Sequence, residues 1–187
     1  VLVVGLGNRQ VTPDALGPDV VDNLKMTRHI ILEYGAQAMG EQNMYQVSGI
    51  VPGVMAQTGM ETLEIVKGVI NETRPDVVIA VDALAARSTK RLNRTIQITD
   101  TGIIPGSGVG NHRNGLTKET LGVKVIGIGV PTVVDAATIV QDSMEKLLQT
   151  LEEKEKKEFL EEMIPPALYS MFVTPKDADE TMKRWPY

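Results

Sequence analysis

The chain has 187 residues, 42% of them apolar, with a formal charge of -5 and a pI near 5.1. That is enough apolar material to bury the core of one domain, and it excludes global disorder, a membrane helix of about 18 apolar residues and a general nucleic-acid binder. With no cysteine, thiolate chemistry, disulfides and Cys-ligated metal sites are excluded too, which fits a reducing cytoplasm. With only His29 and His112 as histidines, Ser-His-Asp catalysis or a His-rich zinc site would have to use one or both, and carboxylates are the plentiful acid–base groups.

In chain order, Val1 to Leu6 reads as a first strand, with Gly5-Leu6-Gly7-Asn8 as its exit turn. No basic-then-apolar leader opens the chain. Because Val1-Leu2-Val3-Val4 already has strand character, further residues are expected upstream of Val1. Pro18 suits the first turn of a helix, whose face is marked by Val20, Val21, Leu24 and Ile31 through Leu32. A loop over 35–46 leads to a strand at Val47 to Val51, stopped by Pro52-Gly53, and then to a helix from Thr58 to Thr73 with Leu63, Val66, Val69 and Ile70 inward.

Val77-Val78-Ile79-Ala80-Val81 is the clearest strand, and its unbroken apolar character predicts burial on both faces and a central place. A shorter strand, Thr95 to Ile98, follows a basic stretch with Arg87, Lys90, Arg91 and Arg94. The glycine-rich loop from Pro105 to Asn111 comes next, then a strand at Val123 to Ile128 and a helix from Ala136 to Leu151. The alternation predicts an α/β fold, a mainly parallel sheet with helices on both faces. Residues 1–151 form the α/β domain; residues 152–187, opening on the mixed-charge run Glu152 to Glu158, form a helical C-terminal extension packed on it. In that extension one helix ends before Pro165-Pro166, and Thr174-Pro175 is placed to begin another.

In a parallel sheet, sites gather at the carboxyl ends of strands, and that rule singles out Asp82 and Asp14. Asp82 follows five apolar strand residues and precedes Ala83-Leu84-Ala85-Ala86, where an ionised carboxylate costs several kcal/mol unless paired or hydrogen-bonded. It caps the next helix or it works in a site; buried acids cluster at active sites, which favours the second. Asp14, in Thr12-Pro13-Asp14-Ala15-Leu16-Gly17, is by itself an equally good turn residue. Paired with Asp82 it gains weight, because two carboxylates in different surroundings can divide acid and base duties, one activating water and the other protonating an amide leaving group. Which is the acid stays open.

The other candidates are weaker. Asp100-Thr101-Gly102 matches the triplet of pepsin-like aspartic proteases, but those are all-β, and a turn is preferred. The loop Pro105 to Asn111 has no following Lys-Ser or Lys-Thr, so it is no Walker A motif; it is read as a flap over a cleft or a plain surface loop. Arg87 to Arg94 hold an acidic substrate or a neighbouring subunit, or form a solvated helix face. His29, in Thr27-Arg28-His29, is read as a helix C-terminal cation. Gly5-Leu6-Gly7-Asn8 with that segment is faintly similar to peptidyl-tRNA hydrolases, but Ile30 stands where they carry an Asn, and the acidic chain does not suit tRNA.

Several longer motifs, taken together, resemble the germination protease family of spore-forming bacteria. They are Val4-Gly5-Leu6-Gly7-Asn8, Val11-Thr12-Pro13-Asp14-Ala15-Leu16-Gly17-Pro18, Ile50-Val51-Pro52-Gly53-Val54-Met55, Val81-Asp82-Ala83-Leu84-Ala85-Ala86-Arg87-Ser88, Pro105 to Asn111 and Gly129-Val130-Pro131-Thr132-Val133-Val134-Asp135-Ala136. The resemblance runs in order from Val1 to about Gln149. It implies a fold related to the hydrogenase-maturation proteases and an endopeptidase, atypical for the aspartic type, that cleaves small acid-soluble spore proteins during germination. It also implies a zymogen with an N-terminal propeptide, a homotetramer, and a cytoplasmic place in the spore core. Asp14 and Asp82 fall on the family's two proposed catalytic aspartates. No cofactor, metal, nucleic acid or membrane is expected as a partner. The alternatives are a metal-sensing maturation peptidase that reads a metal at Asp14, and a non-catalytic relative that only binds spore proteins.

Overall fold

The computed structural model describes residues 1–37, 44–106, 113–151, 164 and 172–173. The chain divides into two compact units, Val1–Ala83 with Gln97–Gly129, and Leu84–Ile96 with Val130–Tyr187.

The first unit is built on parallel pairing. Strand β1 (Leu2–Gly5) is buried at every position and pairs in parallel with β2 (Ser48–Ile50) on one side and β3 (Val77–Ala86) on the other. Parallel strands need cover on both faces, which is why Leu2, Val4, Val78 and Ala80 are apolar and join Leu63, Val66, Leu116 and Val125 in one cluster. A buried Val or Leu stabilises such a cluster by about 1.5–3 kcal/mol. Strand β4 (Gln97–Thr99) pairs antiparallel with β5 (Lys124–Asp135), and the strand order is β2-β1-β3-β5-β4 with β3 at the centre, as its apolar run predicts. The sheet is mostly parallel, as expected, but mixed: β2, β1 and β3 run parallel, while β4 and β6 (Phe172–Val173) pair antiparallel with β5.

The helix expected from Pro18 to Leu32 is two helices, α1 (Leu16–Asp22) and α2 (Arg28–Tyr34). Thr27 breaks it. Its Oγ1 donates to the Tyr45 carbonyl at 2.6 Å and accepts from the Val47 N–H at 3.0 Å, while the Thr27 and Arg28 N–H groups both donate to the Val47 carbonyl. These bonds to a segment some twenty residues away replace the helical ladder. His29 consequently lies in the first turn of α2, exposed, and not at a helix C-terminus. The helix expected from Thr58 likewise splits into α3 (Met55–Thr58) and α4 (Thr62–Thr73), because Gly59 takes a left-handed φ of 71° that closes the first. A short α5 (Lys118–Leu121), capped by the Thr117 side chain, was not expected.

The second unit holds the outer parts of β3 and β5. The helix α6 (Ala136–Leu151) has the bounds read from the sequence. The Asp135 carboxylate opens it, accepting from the Thr138 N–H at 2.8 Å and from its hydroxyl at 2.6 Å. Ala86, Leu92, Val134 and Ile139 pack as a separate apolar cluster. Strand β6 (Phe172–Val173) pairs antiparallel with the end of β5. The helices expected beyond Leu151 lie outside the described residues. No described helix is long and apolar enough to cross a membrane.

Candidate functional site

Both aspartates belong to the first unit. β1 pairs with β3 only as far as Gly5 opposite Val81, after which the Leu6 N–H donates to the Val81 carbonyl at 2.8 Å and the chain turns away. Asp82 is the next residue of β3, so it stands level with the carboxyl end of β1, where a parallel sheet opens a crevice. β3 itself does not end there: it runs on to Ala86, and Asp82 is an interior strand residue. No helix follows for it to cap. Its Oδ1 instead accepts from the N–H of Ala83 at 2.9 Å, and the residue is only 5% exposed.

Asp14 ends a single 3-10 turn, Thr12–Asp14, that follows the exit of β1. The turn is closed by its own backbone: Val11 N–H to the Asn8 carbonyl and Asp14 N–H to the Val11 carbonyl. The Asn8 N–H is shared between the Asp14 carbonyl at 3.1 Å and the Asp14 Oδ2 at 2.8 Å, which pins the carboxylate over the turn. Gly7 permits this. It adopts φ +113°, and the Asp14 carbonyl lies where its Cβ would be. On the far side of Asp14, Gly17 seats α1 directly on the backbone of Leu6 and Val81, leaving no room for a Cβ. Two glycines thus set the position of one aspartate.

The carboxylates share an electrostatic site. Burial, and then the charge of Asp14, push the Asp82 carboxyl up to about 7, against smaller lowering by the Ala83 N–H and Arg113. Burial also raises Asp14, opposed by the Asn8 N–H and Arg113. The asymmetry has a physical origin: Asp82 is the more desolvated group and still holds its proton when Asp14 ionises, so Asp14 acts on Asp82 and not the reverse. Arg113, half-buried, is the cation that faces both. The sequence reading brought the two aspartates together but missed Arg113 and the part played by Asn8. A cation directly after the glycine-rich loop was the available signal for the first.

The remaining candidates separate from this site. Asp100, Thr101 and Gly102 form the expected turn, with Thr99 and Thr101 hydroxyls bonded at 2.7 Å and Gly102 at φ +94°. Arg87, Lys90, Arg91 and Arg94 are exposed in the second unit, around a 3-10 turn at Thr89–Arg91 and not on a helix face. The Asp142 carboxylate holds that turn, accepting from Ser88 Oγ, Thr89 N–H and Thr89 Oγ1. Of the expected flap, Pro105 and Gly106 form a turn; its other residues, and His112, lie outside the described residues. Among the described residues no three His, Asp or Glu side chains gather as a metal ligand set.

Residues 1–151 match the family model described as germination protease. A germination protease of Caldanaerobacter subterraneus subsp. tengcongensis is 49% identical over 200 residues, spanning 98% of this chain and 61% of that protein. One of Bacillus subtilis (strain 168) is 44% identical over 226 residues, spanning 95% of this chain and 61% of that protein. The chain thus spans about three fifths of the length of the curated relatives it matches. Among solved structures, a NiFe hydrogenase maturation protease from Thermococcus kodakarensis aligns with a TM-score of 0.40 at 21% identity, covering 70% of this chain and 72% of that one.

Proposed function

The chain belongs to the germination protease family, and we propose that it carries the catalytic centre of an endopeptidase that cleaves small acid-soluble spore proteins, with Asp82 as general acid and Asp14 as general base. The observation that carries this is the unequal pair: a buried, proton-holding Asp82 beside an Asp14 whose carboxylate is tied to the Asn8 N–H and faces Arg113. Asp14 takes a proton from water as the water oxygen bonds to the scissile carbonyl carbon. The carbonyl π electrons move to its oxygen, and Asp82 then gives its proton to the amide nitrogen as the C–N bond breaks. The products leave as a carboxylate and an amine, and proton exchange with solvent restores the starting state. The family resemblance adds a zymogen, a homotetramer and the spore core to this reading.

Asp14→Asn in the full-length protein keeps an acceptor for the Asn8 N–H but cannot take a proton. Cleavage of an acid-soluble spore protein is expected to fall by roughly 10²–10⁴-fold at an unchanged melting temperature. Turnover at the parent rate in a folded variant would remove Asp14 from the mechanism.

Arg113 supplies a second prediction. Its positive charge lowers both carboxyl pKa values, so Arg113→Gln is expected to raise both. The acidic limb of the pH–rate profile reports Asp14 losing its proton and the alkaline limb reports Asp82 losing its own. Both limbs should move to higher pH. A profile that stays in place while the rate drops would mean that Arg113 acts on substrate and not on the pair.

A further inference from the structure

Asn8 is anchored from three sides. Its N–H binds Asp14 Oδ2 at 2.8 Å, its carbonyl accepts from Val11 N–H, and its side-chain Oδ1 accepts from the Gln10 N–H at 3.0 Å and from Gln57 Nε2 at 3.2 Å. The Gln10 N–H is a backbone donor, so it fixes which side-chain atom of Asn8 is the oxygen. The Gln57 amide is oriented in turn, its Oε1 facing the Val54 N–H at 3.5 Å. The consequence is that Asn8 Nδ2, with two hydrogens, has no acceptor among the described residues, while every other polar atom of the residue is used. The residue is half-buried rather than enclosed, so a substrate can reach it.

We propose that Asn8 is a third catalytic residue, whose Nδ2 donates to the scissile carbonyl oxygen as it becomes an oxyanion, and that Gln57 is the positioning residue that aims it. This rests on the endopeptidase reading. A preoriented amide donor beside the base suits that role, because an oxygen gaining negative charge next to an ionised Asp14 needs a donor that costs no reorganisation. Neither aspartate supplies one during the attack: Asp14 is taking a proton and Asp82 is reserved for the leaving nitrogen. Asn8 brings a fixed, neutral donor and does not disturb the charge of the pair.

The test compares three changes in the full-length protein with an acid-soluble spore protein as substrate. Asn8→Ser retains a short side-chain oxygen for the Gln10 N–H but has no amide donor. Its kcat is expected to fall by about 10²-fold or more with KM nearly constant and both pH limbs in place. Gln57→Ala is expected to lower kcat by a smaller factor, and to cost nothing further in the Asn8→Ser background, because it acts only through Asn8. A kcat at the parent level in Asn8→Ser, or a loss that is wholly in KM or wholly matched by lost melting temperature, overturns the inference about Asn8. Full additivity of the two substitutions overturns the role of Gln57. Undiminished cleavage by Asp14→Asn and Asp82→Asn would instead sink the endopeptidase reading itself, and this inference with it.

Discussion

Asp82→Asn is expected to lose turnover and gain stability at the same time. Asn matches the shape of the protonated carboxyl and keeps an Oδ1 for the Ala83 N–H, but it has no proton to give the leaving nitrogen, and kcat should drop by roughly 10²–10⁴-fold. The stability gain follows from the sign of the pKa change. In the folded chain Asp82 is held up to about 7, against 3.8 for the unperturbed group. Below the lower value both states carry the proton and the group is neutral to folding. Between the two the unfolded chain releases its proton and the folded chain does not, so stability declines as pH rises, and the decline levels off once pH passes about 7. The gap corresponds to a penalty on the order of 4 kcal/mol, a large share of the roughly 5–15 kcal/mol that holds a domain together. Urea midpoints at pH 4, 6 and 8 measure it. The parent curve should fall with pH relative to the Asn variant, with the variant the more stable at pH 8. Parallel curves would mean that Asp82 titrates as an ordinary carboxylate, and the assignment of acid and base would lose its basis.

A residue that costs stability where the protein works, in a strand that would be more stable without it, is the pattern expected of a functional group. Asp142 is the contrast. It accepts three hydrogen bonds, from Ser88 and Thr89, where Asp82 accepts one from the Ala83 N–H, and it is less deeply buried: a conventional latch on a turn.

What the sequence revealed and what it hid follow one physical division. β1, α4, the centre of β3 and α6 were legible because their cause is local: apolar periodicity, a cap, a run of β-branched residues. The break between α1 and α2 was not, because it is made by the Tyr45 and Val47 backbone and could be seen only once those residues were in place. The lengths of β3 and β5 were misjudged for a related reason. The apolar pattern places Asp82 where its strand ends and carries the later strand only to Ile128. Yet Asp82 sits within β3 with its Oδ1 accepting from the Ala83 N–H, and β5 runs on through Pro131, whose carbonyl accepts from the Asn93 N–H at 2.7 Å. The pairing of Asp14 with Asp82 was expected from strand ends and family motifs, and in the structure the charge of Asp14 does act on Asp82. Asn8 and Arg113 were passed over, because the Asn8 N–H meets Asp14 only once the turn is folded and a cation after the glycine-rich loop does not by itself say which carboxylates it faces.

Gly17→Ala should be a strongly damaging small substitution in the first unit, and it tests how the site is held. A Cβ there would strike the Leu6 nitrogen and oxygen and the Val81 oxygen, all backbone atoms of the sheet, none of which can rotate away as a side chain would. Gly5 faces the same contact from the sheet side, against the carbonyl of Gly17. The start of α1 must therefore lift from β1 and β3, and the cost should reach or exceed the upper end of the roughly 1–3 kcal/mol typical of overpacking. Gly68→Ala is the matched control: it lies in α4 with open space around its Cβ position, so it should stabilise by up to about 1 kcal/mol through helix propensity alone. Chemical denaturation of the two variants separates a steric seat from a general intolerance of change. If they lose stability equally, the close approach of α1 to the sheet is not what fixes Gly17. If the order holds, the kinetics of the folded fraction carry the second half of the test. Asp14 precedes Leu16 by two residues, so a lifted α1 moves the base while leaving Asp82 in its strand. The acidic limb of the pH–rate profile, set by Asp14, should then shift while the alkaline limb stays, a signature that a merely unstable enzyme would not produce.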